Sequence, residues 1–286
     1  MNNDKIKNTI LDFANNDDRV RAVILNGSRA NPNVLPDKYQ DYDILFVVNN
    51  FESFVKNENW VSFLGRTIIK QLPDKNSFVG EQDKDRVAFA WLMIFEDGNR
   101  IDLTVFPKAK FHTHFKPDSL TKVWIDKDSL FRDIPESNDK DYHIVKPGEI
   151  EYLETCNEFW WVATYVAKGL ARGEIIYAKD MMESFVRPMF MKLVEWKAGI
   201  ENDFGMSLGK SGKFAVKYLP EEMYFDVLKT YSDADRENNW AALIRMMSMF
   251  KELQKEISEK LGFNTNTTEA DNTFEYILKM KNEIQG

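Results

Sequence analysis

"LNGSRANPNVLPDKYQDYDILFVV", residues 25–48, decides the fold. An apolar run, "RAVILN" (21–26), reads as a strand that ends in Gly27-Ser28, and "YDILFVV" (42–48) reads as the next. Asp41 and Asp43 stand at the mouth of that second strand. A strand that stops at Gly-Ser and turns into a helix presents backbone N–H groups and the positive end of a dipole to an anion. Gly27 lets the backbone approach a ligand, Ser28 offers a hydroxyl, and Arg29 adds a planar fork matched to phosphate oxygens. Residues i and i+2 of a strand share a face, so Asp41 and Asp43 project together. Paired carboxylates repel unless a cation lies between them, and magnesium, which takes oxygen ligands and substrate phosphates, suits that position.

Working outward, further strands are predicted at "RTIIKQ" (66–71), "VAFAWLMIF" (87–95) and "RIDLTVF" (100–106). "EDGN" between the last two predicts an antiparallel hairpin. In the third of these, Asp102 lies among apolar residues and shares its face with Arg100 and Thr104. Three strand-borne acids beside a phosphate-binding turn suit metal-assisted phosphoryl or nucleotidyl transfer. Taken singly, Gly-Ser is an ordinary turn and Asp-x-Asp an ordinary solvated strand edge; it is their ordered combination that points to chemistry. Ile6, Ile10, Phe13 and Ala14 predict an opening helix after Asn3 or Asp4 as cap.

From Pro147 the pattern turns helical. "EIEYLETCNEFWWVATYVAKGLARG" (149–173) ends on Gly173, a run over 174–199 carries Pro188, which must kink or split it, and Pro220 opens another. A further helix spans 236–262, and "NTNTTEADNT" (264–273) reads as a surface loop before a short last helix. The expected fold is α+β: a mixed-sheet domain over residues 1–146, then a helical bundle over residues 147–286.

In the helix after Pro147, Glu154, Glu158, Trp161, Tyr165 and Lys168 fall on one stripe at about 3.6 residues per turn. Tyr152, Cys156, Phe159, Ala163 and Val166 form the apolar side. The stripe suits a surface that closes over a nucleotide, its acids receiving guanidinium groups and Lys168 reaching a phosphate. The other reading is a solvated face whose aromatic edges pack on neighbours. "GMSLGKSGKF" (205–214) fails as a P-loop, because only three residues separate Gly205 from Gly209-Lys210-Ser211 and no strand precedes it. His112 and His114 would share a face on a strand, weak grounds for a transition metal, and the methionines of "RMMSMF" read as core.

Composition narrows the classes. With 43% apolar and 13% aromatic residues the chain can build a substantial core. One cysteine, Cys156, gives neither an internal disulfide framework nor a zinc signature. A net charge of −8 argues against sequence-independent nucleic-acid binding and favours a small cationic ligand. The N-terminus lacks the apolar core of a secretory signal, and no run approaches a membrane span, so a cytoplasmic protein without a membrane partner is expected.

The combination of Gly-Ser, Asp-x-Asp and a later lone Asp resembles the nucleotidyltransferase superfamily of DNA polymerase β. "GSRANPNVLPDKYQDYDI", "FEDGNRIDLTVFP" and "CNEFWWVATYVAKGLAR" are similar to signature stretches of the aminoglycoside 6-adenylyltransferase (streptomycin adenylyltransferase) family. The resemblance covers about residues 10 to 262. It implies transfer of AMP from ATP to the 6-hydroxyl of streptomycin, with magnesium and release of pyrophosphate, inactivating the antibiotic. By that resemblance Gly27, Ser28 and Arg29 hold the triphosphate, Asp41 and Asp43 bind metal, and Asp102 completes the metal site or assists deprotonation of the acceptor. Two acids stay open as the general base, Asp102 and Glu158; Glu154, Glu158 and Tyr165 are the expected substrate contacts. Alternatives are another acceptor (a different aminoglycoside, a lincosamide or a protein side chain), or a nucleotide-sensing module without turnover.

Overall fold

The computed structural model describes residues 3–75 and 87–285. The chain divides into two compact units, residues 1–141 and 142–286.

In the first unit, helix α1 (Asn3–Asn16) precedes strand β1 (Val20–Asn26). The side chains of Asn3 and Asp4, the expected caps, lie outside the described residues. After β1 come β2 (Tyr42–Val48), a short helix α2 (Phe51–Val55), a 3-10 segment (Glu58–Leu64) and β3 (Thr67–Gln71). Then β4 (Phe89–Phe95) and β5 (Arg100–Pro107) lead to a four-residue helix α3 (Phe111–His114) and β6 (Lys122–Asp126). Among the described residues these strands make one mixed sheet in the order β3-β4-β5-β2-β1-β6. The β4–β5 hairpin forms as expected, Asp97 accepting from the Asn99 N–H and Gly98 taking φ +81. β2 and β5 pair in parallel, while the other neighbours are antiparallel.

Alternation in β2 builds a core on each face of the sheet. Tyr42, Ile44, Phe46 and Val48 join Ile6, Ile10 and Ala14 of α1 on one side. Val47 joins Ala22, Ile24 and three phenylalanines, Phe106, Phe111 and Phe131, on the other, with Leu45 packed beside them. Asp43 takes the first position on this second face, where the core gives way to solvent. His112 and His114 fall in α3 instead of a strand, so the shared face that a strand would give them does not form.

The second unit is helical. Its helix α4 (Glu149–Arg172) ends at Gly173 and buries Tyr152, Cys156, Phe159, Ala163 and Val166. Burial pushes the Cys156 thiol up to about 12. α5 (Ile175–Met181) passes through a π turn (Met182–Val186) into α6 (Arg187–Glu201). Pro188 follows directly on the π turn that separates the two helices, so its missing donor falls in the first turn of α6. The Arg187 side chain, buried there, bonds Glu183 and Thr230 and stacks 3.6 Å from the Tyr231 ring centroid.

α7 (Ala215–Tyr218) and α8 (Glu221–Leu228) precede α9 (Arg236–Leu261), whose Asp235 cap accepts from the Asn238 N–H. Met246, Met247 and Met249 are core, as their spacing predicts. Phe250 stacks on Phe159 with ring centroids 3.6 Å apart. The stretch expected as a loop at 264–273 is largely helix: α10 (Thr267–Gln285) begins within it. Asn266 accepts from the Glu269 N–H, and Ala270 and Ile277 are fully buried against the bundle. A capping side chain and apolar spacing of one face outweigh the polar composition. Ile277→Ala is expected to lower the unfolding free energy by about 2–5 kcal/mol in urea titration; a loss below 1 kcal/mol would mean that α10 is not part of the core.

Candidate active site

The site grows from the register of β2 and β5. Their parallel pairing sets Tyr42 beside Ile101 and Asp43 beside Asp102, and the antiparallel pairing with β1 sets Asn26 beside Asp43. Two carboxylates from adjacent strands therefore share one face, directly after the end of β1. Asp41, one residue before β2, reaches the same centre.

Gly27 begins a 3-10 turn, Gly27–Arg29, with φ +68. A Cβ built on it would lie 2.1 Å from Asp43 Oδ2. The Asp43 carboxylate therefore rests against the glycine, which has two reasons to be glycine: a left-handed backbone and an acid in the space of a side chain. The helix expected after Gly-Ser does not form. Ala30 donates to Gly27 and Asn31 to Ser28, and the turn stops there. Pro32 disfavours helical geometry at Asn31, and Pro36 follows in an exposed loop. A single turn carries no useful macrodipole, so anion binding here would rest on the Ser28 hydroxyl and local N–H groups.

Arg29 folds back onto the strand that bears the acids. Its Nε donates to the carbonyls of Gln40 and Asp41, both at 3.1 Å, and its Nη2 donates to Gln40 at 2.7 Å. The guanidinium also lies 3.9 Å from the centroid of the Tyr42 ring. These contacts hold the entry to β2, and the sequence alone gives no sign of them.

At the centre of the acids stands Arg100. Its Nε and Nη2 donate to the two Asp102 oxygens at 3.0 and 2.7 Å, and its Nη1 lies 3.4 Å from Asp41 Oδ2. Hydrogen bonding to Asp102, then the charges of Asp102, Asp41 and Asp43, raise the guanidinium above the usual arginine range. Two acids thus share one cation, and the charge of a third, Asp43, acts on it. Among the described residues no three Asp, Glu, His or Cys side chains are grouped to hold a metal ion as they stand. The donor chemistry, carboxylate oxygens only, suits magnesium, but the present spacing is that around a guanidinium. Sequence reading placed Arg100 on the face of Asp102 without giving it this part.

The α4 stripe belongs to the second unit. Glu154, Glu158, Trp161 and Lys168 are exposed and Tyr165 is half-buried. The Trp161 indole, 60% exposed, donates to Tyr165 Oη at 2.7 Å, and Lys168 Nζ lies 5.8 Å from the Tyr165 ring centroid. Trp161 is thus open to solvent, while Tyr165 packs against the core of this unit.

The mixed sheet carries a Gly-Ser turn, the Asp41-x-Asp43 pair at the entry of one strand and a third acid on the adjoining parallel strand, and its relatives place the chain among the nucleotidyltransferases. The profile of the streptomycin adenylyltransferase family matches residues 1–280, and the chain belongs to that family. The aminoglycoside 6-adenylyltransferase of Bacillus subtilis (strain 168) is 39% identical over 255 residues, 88% of this chain and 89% of that protein. The Campylobacter jejuni aminoglycoside 6-adenylyltransferase is 36% identical over 259 residues, 91% and 89% of the two chains. A crystal structure of an aminoglycoside 6-adenyltransferase from Bacillus subtilis aligns with 96% of this chain and 97% of that one, at 32% identity and a TM-score of 0.47.

Gly27→Ala is expected to cost about 1–3 kcal/mol in urea unfolding. Gly98, at φ +81 with nothing within 4 Å of an added Cβ, is the control for backbone strain alone. Equal losses for Gly27→Ala and Gly98→Ala would show that the Asp43 carboxylate does not press on Gly27.

Proposed function

We propose that the protein transfers AMP from ATP to the 6-hydroxyl of streptomycin and releases pyrophosphate. Family membership supports the reaction class, and the observation that carries it is Asp43 beside Asp102 on adjoining strands, with Asp41 and Asp102 on one guanidinium, next to the Gly-Ser turn. In such a transfer the acceptor oxygen forms a bond to the α-phosphorus while the bond to the bridging oxygen of the leaving pyrophosphate breaks. The hydroxyl proton passes to a carboxylate. A magnesium ion held by Asp41, Asp43 and Asp102 would neutralise phosphate charge as it develops.

The chain's own residues divide the remaining work. Gly27 makes room for the Asp43 carboxylate beside the turn, and Ser28 offers its hydroxyl to a phosphate. Arg29 fixes the carbonyls at Gln40 and Asp41, and so the path on which Asp41 and Asp43 are carried. Glu154 and Glu158 present exposed carboxylates on a face that also carries the Trp161–Tyr165 pair. That mixture suits a polyhydroxylated, guanidinium-bearing acceptor, with charge-assisted hydrogen bonds from its cations and an aromatic surface under its rings. Lys168 would meet a phosphate oxygen. Either Asp102 or Glu158 would take the acceptor proton.

Pyrophosphate release with ATP and magnesium, measured over a panel of aminoglycosides and a lincosamide, tests the assignment; turnover with streptomycin is expected, and its absence would overturn it. Asp43→Asn is expected to lower kcat by at least about 100-fold with an unchanged circular dichroism spectrum, and full activity would remove the acid from the mechanism. Glu158→Gln is expected to raise the KM for streptomycin severalfold; an unchanged KM would release the α4 stripe from acceptor binding.

A further inference from the structure

β5 opens with a charge that has no part in the reaction as proposed above. Arg100 is its first residue, and the register that sets Ile101 beside Tyr42 brings it across from Asp41. Both oxygens of Asp102 accept from its fork, and its remaining Nη1 faces Asp41. A guanidinium does not discharge in proteins, so its charge leaves the acids only if the side chain moves. The side chain is 44% exposed, against 19% for that of Asp102. It has water to swing into, whereas the acid stays. A bidentate guanidinium and a divalent cation also compete for the same carboxylate lone pairs.

The geometry points to Arg100 as a resident counter-cation that holds Asp41 and Asp102 together until a divalent ion displaces it; the inference rests on the metal-holding role proposed above for the three acids. In the ion-free protein the guanidinium offsets the repulsion of like charges drawn onto one face. An incoming ion must break those contacts first, so its apparent affinity is the intrinsic affinity multiplied by the fraction of time the side chain is away. Arg100 is then a positioning residue, keeping the carboxylates convergent and ready for exchange. A purely structural role, pinning the β4–β5 hairpin where Arg100 faces Ile94, would change stability without changing ion affinity.

The test is a titration of the full-length protein with Mn2+, an oxygen-seeking stand-in for magnesium whose free-ion EPR signal falls on binding. Wild type, Arg100→Gln and Arg100→Lys are compared without nucleotide or acceptor, with melting temperatures taken in chelator and in excess ion. Arg100→Gln is expected to bind Mn2+ about tenfold more tightly, the scale of a charge-assisted bidentate contact, and to gain more in melting temperature from the ion than wild type does. Arg100→Lys, which keeps the charge and loses the fork, is expected between them and carries the test with the same sign should Arg100→Gln not fold. Equal or weaker binding in the folded variants overturns the displacement role and leaves the acids as metal holders. No binding by wild type or either variant overturns the metal-holding role as well.

Discussion

The parallel pairing of β2 with β5 is the contact on which the site depends. It lays Asp41-Tyr42-Asp43 alongside Arg100-Ile101-Asp102, two tripeptides with the same polar–apolar–polar order. The middle residues, Tyr42 and Ile101, point into the core, and this turns their charged neighbours outward on one face. Register is enforced further along by Ile44, Phe46, Leu103 and Val105, all buried. Each contributes about 1.5–3 kcal/mol through burial, and a slip of one residue would turn every one of them to the wrong side. The apolar residues thus fix the geometry of the acids, although they have no chemistry of their own.

Two further restraints narrow that geometry. Gly27 and Asp43 occupy one space, so the turn after β1 and the carboxylate on β2 are fitted to each other. Arg29 binds the backbone at Gln40 and Asp41 and stacks on Tyr42, which closes the long excursion between β1 and β2 at its far end. The exposed residues between, Leu35 and Tyr39 among them, are left to solvent without disturbing the acids. Glycine, arginine and aspartate here form one mechanical unit although seventeen positions of sequence span them.

Much of this is legible in the sequence because local rules and tertiary demands agree. Alternation marks β2 and β5, Asp97-Gly98 marks the hairpin, and helical spacing separates the buried and exposed sides of α4. The readings that miss do so where a local signal is overruled. Gly-Ser suggests a helix start, yet Pro32 stops the turn after one round. The polar run at 264–273 suggests a loop, yet Asn266 caps a helix whose Ala270 and Ile277 find a core supplied by distant segments. The part played by Arg100 is hidden for another reason. Its place on the face of Asp102 follows from spacing, but its contact with Asp41 needs the strand partner and the register, neither of which a single segment encodes.

The indole of Trp161 gives the protein an optical property of its own. Of the seven tryptophans at 60, 91, 124, 160, 161, 196 and 240, it alone is largely open to water, the others being buried or half-covered. Its emission should lie to the red of the rest, and a soluble quencher such as iodide or acrylamide should reach it first. Anything that settles on the acidic side of α4 would shade it and shift that light to the blue, so occupancy of this face can be followed without attaching a dye.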